Sequence, residues 1–224
     1  MRDEINNLFA RIEQVKRSCG ITRDITVVAA TKTVPSERIN ELPQYGITIA
    51  GENRVQELLE KYDSVHGIEW HFIGALQTNK VKYIVDKVSL IHSVDREALA
   101  DEIDRQAAKR GLTANVLVEI NIGGEESKSG VSKHTAKALI DYVASKPNLR
   151  LRGVMSVLPV GAPDEMYVEL SGYGSYANEK YGADVISAGM SGDYEKAIRF
   201  GANMIRPGSA IFGKRNYTEM RKNG

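Results

Sequence analysis

The sequence predicts an α/β protein folded as a (β/α)8 TIM-type barrel with one extra N-terminal helix. Eight short β-rich runs alternate with segments of helical periodicity, and the connections between them are short and contain Gly, Pro, Ser or Asn. No linker and no change in composition marks a domain boundary, so we expect a single domain over residues 1–224. A doubly wound open sheet is the alternative, but no G-x-G-x-x-G turn follows the first strand.

The elements follow one another in a regular order. Residues 1–20 have apolar positions at helical spacing and predict one amphipathic helix. The predicted strands are ITVVAAT, ITIAGEN, EWHFIGA, VSLIHSV, ANVLVEINI, LRLRGVMSV, DVISAG and NMIRPG. The predicted helices between them are residues 54–62, 80–87, 96–110, 133–146 and 194–201. Segment 158–182 is rich in Gly and Tyr and lacks the helical pattern, so its local structure is left unassigned.

The composition excludes several functional classes. The chain is 42% hydrophobic and 26% charged, and 30 Lys+Arg against 29 Asp+Glu give a net charge of +1. We therefore expect no nucleic-acid partner and no membrane partner. A single cysteine, Cys19, permits no internal disulfide framework and is typical of a reducing compartment. No segment approaches the roughly 18 apolar residues of a membrane span, and the start has no signal-peptide core. These features predict a cytoplasmic protein.

Polar and reactive side chains gather at the carboxyl ends of the predicted strands, where barrel enzymes carry their active sites. Each one alone is weak support, because polar residues surface at strand ends in any case. Their coincidence favours a functional site at this end of the barrel. The residues at these ends are Lys32, Asn53, His71, His92, Ser93, Asn121, Met155, Ser156, Ser187 and Arg206.

The loops after the seventh and eighth strands predict a phosphate site. SAGMSGDYEKAI combines a glycine-rich turn with Ser191 as a predicted helix cap and Asp193 in the first turn. IRPGSAIFG offers the backbone amides of Gly208 and Ser209. Backbone N–H groups at such turns bind anions, and barrels of this class often bind phosphate at these two loops. Arg206 precedes Gly208 by two residues, so it lies near the same ligand.

Lys32 ends the first predicted strand and has a chemical interpretation beside a phosphate site. A free lysine has a pKa of about 10.4, and burial or nearby cations lower the pKa of such an amine and activate it for Schiff-base formation. A reactive lysine with a phosphate pocket suits two ligands: a phosphorylated sugar in an aldolase, or pyridoxal 5'-phosphate (PLP), which carries an aldehyde and a phosphate. The residues alone leave both possibilities open.

Seven motifs, in order and with compatible spacing, resemble the pyridoxal phosphate homeostasis protein family, whose members look like the N-terminal barrel of bacterial alanine racemase standing alone. The match runs from about residue 25 to residue 217. The motifs are VVAATKTVP, GENRVQELLEKY, WHFIGALQTNK, EINIGGEESKSGV, LRGVMSV, SAGMSGDYEKAI and IRPGSAIFG.

The resemblance implies a PLP fold type III barrel and assigns roles to the first half of the site. Lys32 is expected to hold PLP as a Schiff base. Asn53 of GEN is expected to lie near the ring and the lysine, and Met155 of GVMSV to pack beside the ring.

The resemblance also assigns the second half of the site. The turn at Ser191 and Gly192 and the amides of Gly208 and Ser209 are expected to hold the phosphate. Arg206 is expected to face the pyridine nitrogen. A guanidinium there disfavours a protonated ring, which weakens the ring as an electron sink.

The resemblance implies binding rather than catalysis. Racemisation needs a proton acceptor and a proton donor on opposite faces of the substrate carbon, and the racemase takes one of these groups from a separate domain. His71 and Tyr173 are candidate substitutes for that second group, but no feature of the sequence places either of them at the site. For His71 we expect a hydrogen-bonded barrel histidine. We therefore expect a monomeric PLP-binding protein that serves PLP homeostasis and supplies PLP-dependent client enzymes, with no established catalytic residue and no metal. The alternative is a PLP-dependent amino-acid racemase-like enzyme.

Overall fold

The computed structural model describes residues 1–125 and 128–213, and these residues contain a barrel of parallel strands. Each of the eight predicted strands is confirmed, and the first is split into two short pieces. The strands are β1 (Thr26–Val27), β2 (Ala29–Ala30), β3 (Ile49–Glu52), β4 (Glu69–Phe72), β5 (Leu90–Val94), β6 (Ala114–Asn121), β7 (Val131–Ser132), β8 (Leu149–Met155), β9 (Val185–Ser187) and β10 (Met204–Ile205).

The split first strand closes the barrel. Neighbours around the barrel follow chain order from β2 to β10, apart from β7, a short unpredicted strand that pairs only with β6. β1 pairs with β10 and β2 pairs with β3. Val28 lies between the two halves, and its N–H donates to the Ile205 carbonyl at 2.9 Å. The predicted (β/α)8 topology is therefore confirmed.

The helices surround the barrel and mostly follow the predicted periodicity. The predicted helix at residues 80–87 is wrong in type, because that region contains a 3-10 helix at Thr78–Tyr83. A second 3-10 helix spans Leu42–Tyr45. The α-helices are α1 (Arg2–Cys19), α2 (Ser36–Ile39), α3 (Val55–Tyr62), α4 (Glu97–Lys109), α5 (Ala136–Ala144), α6 (Asp164–Tyr181), α7 (Tyr194–Arg199) and α8 (Ser209–Phe212).

The N-terminal helix α1 is amphipathic, as its sequence predicts. Its apolar residues Ile5, Leu8, Ile12 and Val15 are buried, and the helix packs against α7 and α8. It ends at Gly20, whose left-handed backbone (φ 63°) lets the next amide bond back to the Lys16 carbonyl. Because α7 and α8 follow the two loops predicted to bind phosphate, α1 supports that side of the barrel.

Helix α6 occupies most of the segment that the sequence left unassigned. Its buried residues include Tyr167, Gly174 and Ala177, so small and aromatic residues replace the usual aliphatic stripe. Gly174 packs so closely on Ile186 that an added Cβ would lie 2.4 Å from the Ile186 Cδ1. The tyrosines donate hydrogen bonds to neighbouring elements, for example Tyr167 to Asp193 at 2.9 Å. The segment is therefore a packing helix.

The barrel interior is partly apolar and partly polar. Alternation along the strands sends one set of side chains outward to the helices and the other inward. The apolar inner cluster consists of Val28, Ile73, Leu90, Leu117, Met155 and Met204. Polar side chains that are also buried include His71, His92, Glu119, Ser187 and Arg206.

Within residues 1–125 and 128–213, no helix combines the length and the apolar character that a bilayer crossing requires. The same part of the chain contains no cluster of three or more His, Cys, Asp or Glu side chains able to hold a metal ion.

Candidate cofactor site

A cavity of about 490 Å³ opens at the carboxyl ends of the strands. Seven of the eight residues predicted for the site line it, and Met155 is the exception. Sequence reasoning missed the apolar part of the wall, because single apolar residues at strand ends carry no distinguishing signal. The lining residues are Ala30, Lys32, Asn53, Ile73, Val157, Met190, Ser191, Gly192, Arg206, Gly208 and Ser209.

Lys32 follows β2 and extends into the cavity from an exposed position, rather than from the buried one that its strand suggested. Among the described residues, its amine has no hydrogen-bond or ion-pair partner. The side chain is therefore free to move, and its position is set by the backbone on either side.

A buried ion cluster fixes that backbone. The Lys61 amine donates to the Thr31 carbonyl at 2.9 Å and contacts one carboxylate oxygen each of Glu52 and Glu57 at 2.7 Å. The Thr31 hydroxyl donates to Glu52 at 2.7 Å, and the Thr33 amide donates to Glu57. Both neighbours of Lys32 are thus held by one cluster, which we call the Lys61 clamp (Thr31, Thr33, Glu52, Glu57 and Lys61).

The clamp contains strain and buried charge. Thr33 has a positive φ of 64°, which is rare for a β-branched residue and persists only where the surroundings enforce it. Burial raises the pKa of Glu52, and the hydrogen bonds from Lys61 and Thr31 offset part of that rise. The clamp therefore depends on each of its partners.

Asn53 lies beside Lys32 in the cavity wall, directly after β3. Its backbone is covered by Gly74, where an added Cβ would lie 2.2 Å from the Asn53 carbonyl oxygen. The glycine at position 74 therefore allows the loops after the second and third barrel strands to pack together.

Ser191 was predicted to cap helix α7, and this is wrong, because Asp193 occupies the cap position. The Ser191 hydroxyl oxygen instead accepts the Gly208 and Ala210 amides, each at 3.0 Å. This side chain ties together the loops after the seventh and eighth strands. Because both acceptor positions of the oxygen are used, the hydroxyl hydrogen is left to donate into the cavity.

Three backbone N–H groups at this end of the cavity have no partner in the described part of the chain. They belong to Ser191, Gly192 and Ser209, whereas the Gly208 amide, also expected to bind phosphate, is used by Ser191. Unpaired backbone N–H groups are strong donors, and several converging on one space form an anion-binding nest. This geometry fits a phosphate group.

Arg206 follows β10 and is buried, with two guanidinium bonds inside the barrel. Its Nη1 donates to the Ser187 hydroxyl at 2.6 Å, and its Nη2 donates to the Ser156 carbonyl at 2.9 Å. Burial lowers the pKa of Arg206 to about 10, so the side chain is still charged at neutral pH. Its remaining N–H groups are available to a ligand in the cavity.

Glu119 is a buried carboxyl group that the sequence did not single out. It alternates along β6 with outward-facing apolar residues, so it points into the barrel. Burial, with the nearby charge of Asp95, raises the pKa of Glu119 to about 7, and Arg206 opposes this rise.

The other candidates from the sequence lie outside the cavity. Met155 is fully buried in the inner apolar cluster with Ile73, which also lines the cavity, so its expected contact with the ring stays a prediction. His71 is the expected hydrogen-bonded barrel histidine, since its Nδ1 lies 2.9 Å from His92 Nε2. Tyr173 lies on α6 and donates to the Lys133 carbonyl.

Comparison with known proteins identifies the family of this chain. Residues 4–216 match the family model of the alanine racemase N-terminal domain. The pyridoxal phosphate homeostasis protein of Aquifex aeolicus is 40% identical over 224 residues, covering 96% of this chain and 98% of that protein.

Solved structures show the same fold. PipY of Synechococcus elongatus, solved with PLP bound, superimposes with a TM-score of 0.78 at 26% identity and covers 91% of this chain and 99% of its own. Alanine racemase of Clostridium difficile shares the fold, with a TM-score of 0.73 at 13% identity. The match covers 96% of this chain and 60% of the racemase chain. By sequence and by structure, the chain belongs to the pyridoxal phosphate homeostasis protein family and carries the alanine racemase N-terminal domain.

Proposed function

We propose that this chain binds PLP through a Schiff base on Lys32 and takes part in PLP homeostasis. The observation that carries the proposal is the joint placement, in one cavity, of a free lysine amine, an anion nest and a buried guanidinium. PipY, a relative of known structure, has been solved with PLP bound, and related proteins are named for PLP homeostasis.

PLP supplies an aldehyde that an amine captures as a C=N bond with release of water, an electron-withdrawing ring and a phosphate. Lys32 provides the amine. The unpaired amides of Ser191, Gly192 and Ser209 and the hydroxyl of Ser191 provide donors for the phosphate. Arg206, held at its inner side, provides a charged donor for the ring nitrogen.

The cavity favours storage and supply over turnover. Among the described residues that line it, Lys32 and Arg206 are the ionisable ones, and no His, Tyr, Asp, Glu or Cys faces the ligand space. A racemase needs a second group that moves a proton on the opposite face of the substrate carbon. We therefore propose transfer of PLP to client enzymes as the role of the bound cofactor. A cytoplasmic location and a monomeric state stay predictions.

Peptide mapping tests the proposal directly. The purified protein is mixed with PLP, reduced with borohydride and digested, and the modified peptide is identified by mass spectrometry. We expect the modification on Lys32, and we expect it to disappear from that position in Lys32→Ala but not in Lys109→Ala, where an exposed helix lysine is removed. If the parent protein carries no PLP on Lys32, the proposal is wrong.

A second measurement separates binding from racemisation. The PLP-loaded protein is incubated with L- or D-alanine in deuterated water, and exchange at the α-carbon is followed. We expect no exchange above that of free PLP. Deuterium uptake at an enzymatic rate would establish the racemase-like alternative instead.

A further inference from the structure

A line of polar side chains crosses the barrel interior beneath the cavity. Arg206 Nη1 lies 2.6 Å from the Ser187 hydroxyl oxygen, and that oxygen lies 3.1 Å from His92 Nδ1. On its other side, His92 Nε2 lies 2.9 Å from His71 Nδ1. His71 Nε2 faces Glu69 Oε1 at 3.6 Å, an ion-pair distance. We call these five residues the interior chain.

The interior chain connects two ends of the barrel. Its four inner members are buried, whereas the Glu69 side chain is 54% exposed at the start of β4, on the side away from the cavity. Uncompensated polar groups in an interior cost stability, and these groups share the interior with an apolar cluster. The interior chain therefore persists because each side chain gives the next one a polar partner.

The hydrogen bonds of the interior chain have one consistent direction. Arg206 only donates, so the Ser187 oxygen accepts, and the hydrogen of this fully buried hydroxyl goes to His92 Nδ1, its one neighbouring acceptor in the described part of the chain. Burial holds the pKa of His92 well below its ordinary value, so His92 is neutral and its hydrogen sits on Nε2. That hydrogen is donated to His71 Nδ1, so Nδ1 is the acceptor and the hydrogen of the His71 ring is on Nε2, which faces Glu69.

The charges at the two ends agree with this direction. The nearby polar groups of His71 and Ser89 lower the pKa of Glu69 to about 2, so Glu69 is a carboxylate throughout the neutral range. A guanidinium at one end and a carboxylate at the other polarise the groups between them in the same sense.

We propose that Ser187 and His92 are positioning residues for Arg206, and that the interior chain, anchored at Glu69, holds the guanidinium towards the ring nitrogen of a bound PLP. The part of this proposal that concerns the ring nitrogen rests on the proposed function, PLP binding. The direction of the interior chain is a property of the protein alone, so it is tested separately.

The first test uses the protein without ligand. Nitrogen NMR of labelled histidines reports the tautomer of each ring. At neutral pH we expect His92 to be neutral with its hydrogen on Nε2. Hydrogen on Nδ1 of His92, or a charged His92, would reverse the direction and overturn the proposal. This result is independent of whether PLP binds.

The second test compares two buried serines in the PLP-loaded protein. Ser187→Ala removes a member of the interior chain, and Ser93→Ala removes a buried hydroxyl that has no partner among the described residues. With PLP labelled at its ring nitrogen, we expect Ser187→Ala to shift the ring-nitrogen NMR signal and weaken PLP binding about tenfold, as expected for one bond to a charged group. Ser93→Ala should change neither.

The outcomes decide the proposal in each case. If Ser187→Ala weakens binding without moving the ring-nitrogen signal, or if both variants behave alike, Ser187 has only a packing role and the proposal is overturned. If the parent protein binds no PLP, the proposed function fails, while the histidine tautomers still decide the direction of the interior chain.

A third comparison tests the distant anchor. Glu69→Gln keeps an acceptor for His71 and removes the charge, and Glu60→Gln removes an exposed carboxylate outside the interior chain. We expect Glu69→Gln to shift the ring-nitrogen signal in the same direction as Ser187→Ala but by less, with no shift in Glu60→Gln. An unmoved signal in Glu69→Gln would remove Glu69 from the proposed role.

Discussion

Lys32 and Arg206 meet in one cavity and are held in opposite ways. Lys32 has a free side chain on a fixed backbone, because the Lys61 clamp bonds to the residues on either side of it. Arg206 has a fixed side chain, because two of its guanidinium nitrogens bond inside the barrel. The lysine end is exposed and the arginine end is buried.

The difference follows from what each group does in the proposed function. An amine that forms and releases a covalent bond must change its position and its bonding, so only its base is fixed. A guanidinium that orients a ring must keep its direction, so its side chain is fixed before the ligand arrives. The predictions below disturb one end at a time, from the largest expected effect to the smallest.

Breaking the Lys61 clamp should have the largest effect. Lys61→Met leaves the fully buried Glu52 carboxylate without its cation, and removing one member of a buried pair costs about 3 to 5 kcal/mol. Urea unfolding measures the loss. Lys109→Met, on the exposed face of α4, is the control and should be within about 0.5 kcal/mol of the parent. An equally small effect in Lys61→Met would show that the Lys61 clamp does not hold the backbone around Lys32.

Substitutions at two glycines near Arg206 distinguish an effect on folding from an effect on PLP binding. The Gly189 carbonyl accepts the Arg206 amide at 2.8 Å, its φ is +92°, and an added Cβ would lie 2.7 Å from the Tyr194 Cα. Gly189→Ala should lower the free energy of unfolding by about 3 kcal/mol. Gly192→Ala meets open space, so its stability should match the parent within about 0.5 kcal/mol.

The two glycine variants should also differ in how a change in stability relates to PLP affinity. The Cβ added in Gly192→Ala projects from a residue that lines the cavity, so this variant should fold normally and bind PLP more weakly. Urea unfolding and PLP titration of both variants provide the check. Normal stability in Gly189→Ala would contradict the tight packing of this loop.

Glu119→Gln tests the cost of burying charge beside Arg206. The pKa of Glu119 is about 7 in the folded protein against 4.5 ordinarily, so between these values the folded state holds a proton that the unfolded chain has released. Stability from this group therefore falls as pH rises through that window, and the loss is complete above pH 7. A neutral amide avoids the loss.

The expected difference between Glu119→Gln and the parent grows with pH. It should be near zero at pH 4 and reach about 2 kcal/mol in favour of the variant at pH 8, since one pKa unit corresponds to about 1.4 kcal/mol and the carboxyl group is not fully buried. Urea unfolding across this range measures it, with Glu60→Gln as the exposed control. A difference that does not change with pH would show that folding leaves the pKa of Glu119 unchanged.

Sequence patterns predicted the barrel well because strand and helix periods and short connections depend on local residues. They failed for α6 because its inner face uses the small residues Gly174 and Ala177, and at position 174 Ile186 across the interface leaves no room for a side chain. They also failed for residues 80–87, where the local pattern does not distinguish a 3-10 helix from an α-helix.

The sequence predicted which residues line the site better than it predicted the hydrogen bonds that hold them. Lys32, Asn53 and Arg206 could be named because strand ends converge in a barrel, and all three line the cavity. The bonds of Ser191 to the loop after the eighth strand, and the interior chain through Ser187 and His92, join residues far apart in sequence. No local pattern encodes such pairings.

The split first strand determines when the binding site can exist during synthesis. Thr26 pairs with Met204, so the barrel cannot close until residue 204 has left the ribosome. At about 5–20 residues per second, Lys32 is made roughly nine to thirty-four seconds before β10, the strand that pairs with β1. During that time the lysine has neither an anion nest nor a guanidinium opposite it. The proposed capture of PLP therefore requires the closed barrel, and a fragment ending before β10 carries Lys32 without the rest of the proposed site.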